Sequence, residues 1–320
     1  MRIDSNYLNN PNFFDLLIVG AGPAGLTAAL YAKRAGLKVA FYEKETPGGK
    51  VVKTGFVENY PGFPTISGPD LAMNFFKQVS EIGVKFLYGE VTKVRKMDNV
   101  FHVFSSDGQV RYAKSVILAT GMTEKKLGIK GENEYYAKGV SYCAICDASL
   151  YKDKPVAVIG GGNTALEESL YLADIVSKVY LIHRRKEFRA DNLIVEKVKQ
   201  NKKIQLVLDY VPHEFVGDGK KINAIIIKNT ISNNLSKILV DCIFPFIGFI
   251  PMNNIISDLK ITNEENGFVD VNQRMETAIP GLFCIGDLVN KSIRQITTAV
   301  GDGAIAAVEA KKYIEERFEI

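Results

Sequence analysis

The sequence predicts an α/β fold made of two doubly wound, three-layer domains, one of which is inserted in the other. Three observations support this prediction. An apolar run that ends in a glycine-rich turn occurs at Gly20 and again at Gly160. Each turn is followed by a segment with helical spacing and then by a second apolar run, which is the chain order of parallel sheets. A strand and a long helix near the C-terminus lack such a turn, so they should complete a sheet that begins earlier in the chain.

Composition and charge limit the classes of protein that the chain can represent. A length of 320 residues favours about two domains, and 47% hydrophobic with 24% charged residues argues against global disorder. The net charge of +4, without a long block of Lys or Arg, gives no reason to expect a nucleic-acid partner. No apolar run approaches the ~18 residues of a membrane span. Residues 1–14 lack a basic region followed by an apolar core, so we expect no signal peptide and a cytoplasmic protein without a membrane partner.

The first glycine turn has the full context of a Rossmann-like dinucleotide-binding unit. A strand is expected over Phe14 to Val19, a helix over Leu26 to Arg34, and a second strand over Val39 to Tyr42 with Glu43 at its end. The turn between the first strand and the helix, Gly20-Ala21-Gly22-Pro23-Ala24-Gly25, matches G-x-G-x-x-G. Such glycines let the backbone approach a pyrophosphate, which then binds the free N–H groups of the helix, and the acid accepts hydrogen bonds from ribose hydroxyls. The alternative is an ordinary glycine turn.

The second unit repeats this pattern 140 residues later. Strands are expected over Pro155 to Ile159 and Val179 to Ile182, with a helix that includes Leu166 to Ala173. The turn between the first strand and the helix is Gly160-Gly161-Gly162-Asn163-Thr164-Ala165. This context predicts a second dinucleotide site.

The acidic position of the first unit is basic in the second. His183 occupies the place of Glu43, and Arg184, Arg185 and Arg189 follow it. Guanidinium groups bind a 2′-phosphate through charged hydrogen bonds of roughly 1.5–3 kcal/mol each, so two or three would favour NADPH over NADH by roughly a hundredfold or more. The alternative is a solvated basic strand end. The two units therefore predict two dinucleotides, of which FAD fits the first site and NADPH the second.

A redox motif lies just before the second unit. Cys143-Ala144-Ile145-Cys146 is a C-x-x-C pair followed directly by Asp147. Such a pair in a presumed reducing compartment indicates redox chemistry, and the adjacent carboxylate is a candidate proton donor and acceptor. One alternative is half of a zinc site, but Cys242 and Cys284 are single and lie in apolar runs, where we expect buried thiols and no metal. The alternative for the aspartate is a helix cap.

The remaining segments complete the predicted domains. A hairpin is expected with strands at 101–103 and 110–112, and further strands at 115–119 and 281–285. A long helix is expected over about 295–317. Chain order then predicts a discontinuous FAD-binding domain, 1–121 with 251–320, interrupted by an NADPH-binding domain at 122–250 that carries the cysteine pair.

These motifs carry a family resemblance over almost the whole chain. The motifs are GAGPAG at 20–25, GGK at 48–50, VENYPG at 57–62, ATG at 119–121, CAICD at 143–147, GGGNTALEE at 160–168, HRRKEFR at 183–189 and GDLVNKSIRQ at 286–295. The set resembles the low-molecular-weight, bacterial-type NADPH-dependent thioredoxin reductases, which are class-II pyridine nucleotide-disulfide oxidoreductases. A redox pair just before the NADPH fingerprint separates this family from glutathione-reductase-like flavoenzymes, whose pair lies in the FAD domain.

The resemblance implies a thioredoxin-disulfide reductase that forms a homodimer and works by rotation of its domains about hinges near 121–124 and 248–251. Electrons would pass from NADPH through FAD to a Cys143–Cys146 disulfide and then to thioredoxin, with Cys146 facing the flavin and Cys143 attacking the partner. The implied FAD contacts are Gly20, Gly22, Pro23, Ala24, Gly25, Glu43, Lys44, Gly48, Gly49, Lys50, Asn59, Ala119, Thr120, Gly121, Asp287, Arg294, Gln295 and Ile296. The expected NADPH contacts are Gly160, Gly162, Asn163, Thr164, His183, Arg184, Arg185 and Arg189.

Three residues depart from the usual family pattern. Ile145 replaces a threonine between the cysteines, Ala148 replaces a glycine, and Lys50 replaces a frequent glutamine beside the flavin. These changes leave the predicted catalytic groups in place and bear on flavin potential and rate. Two alternative functions stay open: a related flavoprotein that reduces another protein disulfide or a low-molecular-weight disulfide, and a non-catalytic FAD-binding redox sensor.

Overall fold

The structure is a computed structural model that describes Tyr7 and residues 10–54, 56–97 and 99–318. The signal-peptide prediction concerns residues 1–14, of which 1–6 and 8–9 lie outside the described residues. The chain forms two compact units, one from Met1–Thr123 with Ile250–Ile320 and the other from Glu124–Phe249. Assignment of FAD to the first unit and NADPH to the second remains a prediction.

Strands and helices are numbered in chain order. The strands are β1 (Phe13–Val19), β2 (Val39–Glu43), β3 (Phe56–Val57), β4 (Ile66–Ser67), β5 (Lys85–Tyr88), β6 (Val91–Met97), β7 (Val100–Ser105), β8 (Val110–Leu118), β9 (Met122–Glu124), β10 (Pro155–Ile159), β11 (Lys178–His183), β12 (Ile204–Leu208), β13 (Tyr210–Gly217), β14 (Ile222–Asn229), β15 (Leu235–Leu239), β16 (Cys242–Pro245), β17 (Phe249–Pro251) and β18 (Leu282–Cys284). The α-helices are α1 (Pro23–Arg34), α2 (Gly68–Glu81), α3 (Ala144–Asp147), α4 (Asn163–Ile175), α5 (Asn192–Gln200) and α6 (Ile296–Arg317).

The first unit is built on a seven-stranded sheet with the order β5–β2–β1–β8–β7–β6, in which β18 also pairs with β8. The pairs among β5, β2, β1, β8 and β18 are parallel, and β7 and β6 extend the sheet with antiparallel pairs. Alternate residues of β1 belong to different cores. Leu16 and Ile18 pack with α1 and α6, whereas Leu17 packs with the segment that contains Ile256 and Val269. Burial on both faces explains why the strand is apolar almost throughout.

The second unit has three layers. Its central parallel sheet has the order β12–β11–β10–β16. Val156 and Val158 of β10 face α4 and α5, while Ala157 and Ile159 face the antiparallel sheet β13–β14–β15. The sheet β13–β14–β15, which the sequence analysis did not predict, takes the place that helices hold on the second face of many α/β sheets.

The predicted α/β class with two dinucleotide-binding units is confirmed, and so are the hairpin and the long C-terminal helix. The strand expected over 281–285 is shorter, because only Leu282–Cys284 pairs with β8. The two chain segments that join the units, β9 and β17, pair as a two-stranded sheet. Rotation about these segments stays a prediction. Among the described residues, no helix is both long and apolar enough to cross a bilayer.

The contact between α1 and α6 depends on Gly303. A Cβ at Gly303 would collide with the carbonyl oxygen of Ala24, whereas a Cβ at Gly301, on the same helix, meets nothing within 4 Å. Because backbone cannot move aside cheaply, Gly303→Ala should lower the free energy of unfolding by about 1–3 kcal/mol. Gly301→Ala is the matched control and should raise it by up to about 1 kcal/mol through helix propensity. Urea denaturation followed by circular dichroism measures both, and equal effects would contradict this packing.

Candidate active site

The cysteine pair forms a disulfide at the start of a short helix. Cys143 and Cys146 are joined, with their Cα atoms 5.3 Å apart. Cys143 is the N-cap of α3, and its sulfur accepts a hydrogen bond of 3.2 Å from the Cys146 backbone N–H. A donor directed at a sulfur stabilises the thiolate form that would result from reduction. Because the two sulfurs are bonded to each other, neither is a thiolate that could bind zinc, and this counts against the alternative of half of a zinc site.

Asp147 ends α3 and is half-buried. Burial raises the pKa of its carboxyl above the ordinary value, and the Ser141 hydroxyl acts in the opposite direction. A carboxyl with a raised pKa keeps its proton to higher pH, as a general acid requires. The alternative role, a helix cap, is not supported, because Asp147 makes no side-chain cap hydrogen bond to the short 3₁₀ turn that follows it.

Two polar contacts fix the segment that leads into the disulfide. The Tyr142 hydroxyl donates to the Glu132 carboxylate at 2.6 Å, and Glu132 is only 2% exposed. The same carboxylate accepts backbone hydrogen bonds from Leu127 and Gly128 at 2.9 and 2.7 Å. Ser141, itself buried, accepts from the Cys143 N–H at 3.2 Å. Sequence reasoning missed these residues, since none belongs to a motif with a recognised spacing.

The first glycine turn has the geometry of a phosphate cradle. A Cβ at Gly20 would collide with the carbonyl oxygen of Ala119, and one at Gly25 would collide with that of Gly20. At Gly22 a Cβ would meet nothing within 4 Å, so open space lies above the N-terminus of α1. Gly22 caps this helix without a side chain, and Pro23 begins it. The first N–H groups of α1 therefore remain available to an anionic ligand.

Glu43 is held at the edge of this cradle. One carboxylate oxygen accepts from the Ala21 N–H at 3.0 Å, and the other accepts from the N–H groups of Lys44 and Glu45 at 2.8 and 2.9 Å. A carboxylate has about four acceptor sites, so three hydrogen bonds leave capacity for a hydroxyl. The Lys44 ammonium is itself paired with Glu90 at 2.8 Å.

The other residues expected at the FAD site lie in the first unit, and some of them contact the same turn. The Gly48 N–H donates to the Ala21 carbonyl at 2.7 Å, and a Cβ at Gly49 would lie 3.2 Å from the Gly22 Cα. Asn59 donates to the side chain of Gln295, the residue that caps α6 just before Ile296. The Thr120 hydroxyl donates to the Met252 carbonyl, and the Gly121 carbonyl accepts from the Met252 N–H.

The charged members of this group surround a half-buried acid. Burial raises the pKa of the Asp287 carboxyl, whereas the charges of Lys50, Lys291 and Arg294 lower it. The guanidinium of Arg294 lies 4.3 Å from the centre of the Phe268 ring, and its Nε is buried with no hydrogen-bond partner among the described residues. A buried donor without a partner is costly unless a ligand accepts from it. This donor, the open cradle and the fixed acid together fit a dinucleotide such as FAD.

The second glycine turn has a similar shape. A Cβ at Gly160 would collide with the Phe246 carbonyl oxygen, and one at Gly162 would meet nothing within 4 Å. Gly161 is needed for a different reason, because the ring of His183 fills the space beside it. Gly162 precedes α4, whose first turn contains Asn163 and the exposed Thr164. The turn is therefore open at Gly162, beside the N-terminus of α4, and closely packed against the backbone of Phe246 at Gly160.

The basic loop that follows β11 is hydrogen-bonded to this turn. The Arg189 N–H donates to the Gly161 carbonyl at 2.8 Å, and Asn163 exchanges two hydrogen bonds with Asp191 at 2.8 and 3.1 Å. Arg184 and Arg185 are exposed, as is the Arg189 side chain. Within the part of the chain that the structure describes, none of the three guanidinium groups has a hydrogen bond or an ion pair.

His183 is buried, unlike the arginines beside it. It is 8% exposed, its Nε2 lies 3.1 Å from the Glu187 carbonyl oxygen, and its ring stacks on Phe188. Burial lowers its pKa, and the charges of Arg184 and Arg185 act in the same direction. Its neutral ring shapes the turn and the loop, and direct contact with a phosphate stays a prediction. Cys242 and Cys284 are buried thiols, as expected.

A disulfide between near neighbours and two glycine cradles define a dinucleotide-dependent disulfide oxidoreductase. The family described as pyridine nucleotide-disulphide oxidoreductase matches residues 14–303. Thioredoxin reductase of Mycoplasma pneumoniae is 43% identical over 96% of this chain and 98% of its own length, and that of Bacillus subtilis is 39% identical over 97% of both. The crystal structure of thioredoxin reductase from Streptococcus pyogenes covers 96% of this chain and 100% of its own, with 39% identity and a TM-score of 0.91. The chain therefore belongs to the pyridine nucleotide-disulphide oxidoreductases and, within that family, to the thioredoxin reductases. This confirms the resemblance seen in the sequence.

Proposed function

We propose that this chain is an NADPH-dependent, FAD-containing thioredoxin-disulfide reductase. The observation that carries the proposal is the Cys143–Cys146 disulfide, which lies in the same unit as a glycine cradle edged by unpaired arginines. Relatives that match this chain from end to end are named thioredoxin reductases. FAD and NADPH are the dinucleotides that the two cradles fit best.

In this proposal the first cradle holds FAD. The N–H groups of α1 would bind the pyrophosphate through the opening at Gly22, and Glu43 would accept hydrogen bonds from the ribose. The Arg294 Nε offers a donor to the cofactor from its buried position. When bound, FAD would supply the step between hydride transfer from NADPH and two-electron reduction of the disulfide.

The second cradle would hold NADPH. The N-terminus of α4 would bind the pyrophosphate, and the guanidinium groups of Arg184, Arg185 and Arg189 would bind the 2′-phosphate. The two hydrogen bonds between Asn163 and Asp191 fix this loop beside the N-terminus of α4, which reduces the loop ordering that would oppose binding.

The thiols would then reduce the partner protein. The Cys143 thiolate would attack one sulfur of the thioredoxin disulfide, and the Cys146 thiolate would resolve the mixed disulfide. Asp147 would give a proton to the leaving thiolate. The balance is one NADPH and one proton consumed for each disulfide converted to two thiols. A homodimer and a cytoplasmic location belong to the same proposal and rest on the family resemblance.

Replacement of the attacking cysteine tests the electron path. Cys143→Ser should abolish thioredoxin-dependent NADPH oxidation, because a hydroxyl cannot replace the attacking thiolate, yet NADPH should still bleach the flavin absorbance. Cys284→Ala, which removes a buried thiol in the other unit, is the matched control and should keep its turnover. Rapid turnover by Cys143→Ser would contradict the proposal. Bleaching without thioredoxin turnover in the wild type would favour another disulfide, and neither bleaching nor turnover would favour a redox sensor.

Replacement of two of the arginines tests the 2′-phosphate site. The double variant Arg184→Ala/Arg185→Ala should raise the KM for NADPH by roughly a hundredfold and change that for NADH little, because only NADPH carries the lost charge contacts. Lys186→Ala removes an exposed cation from the same loop and is the matched control. Steady-state kinetics with both nucleotides measures the preference. An unchanged preference in the double variant would show that the phosphate binds elsewhere.

A further inference from the structure

A half-buried ion pair ties the turn that contains Asp287 to α6. The Lys291 ammonium lies 2.6 Å from one carboxylate oxygen of Asp302, and the two side chains are 18% and 12% exposed. The same oxygen accepts the Gly286 backbone N–H at 2.9 Å. Gly286 begins the 3₁₀ turn Gly286–Leu288, and Lys291 follows this turn. One carboxylate of α6 therefore holds the chain on both sides of Asp287.

The turn held in this way lies against the first turn of α1, the helix whose N-terminus forms the first cradle. A Cβ at Gly286 would lie 3.0 Å from the Ala24 Cβ. A Cβ at Gly303, the neighbour of Asp302, would collide with the Ala24 carbonyl oxygen. Ala24 belongs to the first turn of α1. The ion pair and the Asp287 turn are therefore packed beside the N–H groups that would bind the pyrophosphate.

The ion pair also bounds a segment that contains other expected FAD contacts. Arg294 and Gln295 lie in the chain between the two members of the pair. Arg294 donates to the Val289 carbonyl at 3.2 Å, and Gln295 caps α6. Because the start and the end of this segment meet at one carboxylate, the pair limits the positions that the segment can adopt.

We propose that Lys291 and Asp302 are positioning residues for FAD, whose ion pair holds the Asp287 turn beside the first cradle. This inference rests on the placement of FAD in the proposed function. The pair itself transfers neither a proton nor electrons. It fixes a stretch of backbone that would otherwise have to become ordered when the cofactor binds, and such ordering opposes binding. Loss of the ion pair should therefore weaken FAD binding.

A second ion pair in the same unit provides a matched control. The Asp15 carboxylate accepts the Lys38 backbone N–H at 2.8 Å and pairs with the Lys114 ammonium at 2.7 Å. Both side chains of this pair are half-buried, so it resembles the first pair in burial and in partners. Asp15 lies near the start of β1, whereas the cradle follows the end of this strand, about 15 Å away.

The dissociation constant for FAD tests the proposal. It is measured by flavin fluorescence during titration of the flavin-depleted, full-length chain. Lys291→Met and the double variant Lys291→Met/Asp302→Asn should each raise this constant by about tenfold. Lys291→Arg keeps the charged hydrogen bond and should stay within about threefold of the wild type. The control Lys114→Met/Asp15→Asn should bind FAD as tightly as the wild type does.

Urea denaturation of the same proteins separates positioning from a general contribution to the fold. Neither double variant leaves a half-buried charge without its partner, so the two should lose similar, small amounts of stability. Wild-type FAD affinity in Lys291→Met/Asp302→Asn, or an equal loss of affinity in the control, overturns the proposal. If Asp302→Asn prevents folding, Lys291→Met decides by the same comparison with Lys114→Met. The titration needs neither NADPH nor thioredoxin, so a wild type that binds FAD but reduces no thioredoxin counts against the proposed function alone.

Discussion

The rest of the structure depends on two helix N-termini that no side chain caps. At α1 and α4 the capping residue is a glycine, and the space above it is open. Helix N–H groups left without partners favour an anion, because their dipoles add up at this end. The surrounding features follow from this constraint. The neighbouring glycines let the strand and helix approach closely, Glu43 is fixed by backbone donors at the edge of one cradle, and the arginines are exposed at the edge of the other.

The segment that contains the disulfide depends on a different constraint. Its buried polar groups need hydrogen-bond partners. The Glu132 carboxylate is buried only because three donors satisfy it, and one of them, Tyr142, precedes the disulfide directly. Ser141, which precedes Tyr142, adds a hydrogen bond from the Cys143 N–H. A polar network of this kind fixes one geometry, since each broken hydrogen bond leaves a buried group without a partner. These contacts fix the segment that leads into the short helix α3.

The sequence predicts those elements whose residue pattern matches their position in the folded structure. The apolar runs before Gly20 and Gly160 predict buried strands because both faces of a parallel strand are covered. The sheet β13–β14–β15 was missed because its strands mix polar and apolar residues, with Lys228 beside the buried Ile227 and Glu214 beside the buried Phe215. The burial of His183 depends on the space beside Gly161, and the hydrogen bond between Ser141 and the Cys143 N–H depends on the turn that the chain makes there. No residue pattern encodes these distances, so only the structure reveals them.

In the proposed function, a dinucleotide cradle and the Cys143–Cys146 disulfide of one protein form a single electron path. Anaerobic titration of the purified yellow protein with NADPH, followed by flavin absorbance and thiol counting, tests it most directly. The wild type should consume about two equivalents of NADPH per flavin, since the flavin and the disulfide each accept two electrons, and it should gain two thiols. Cys146→Ser should consume about one equivalent. A wild type that consumes about one equivalent and keeps its disulfide would contradict the claim.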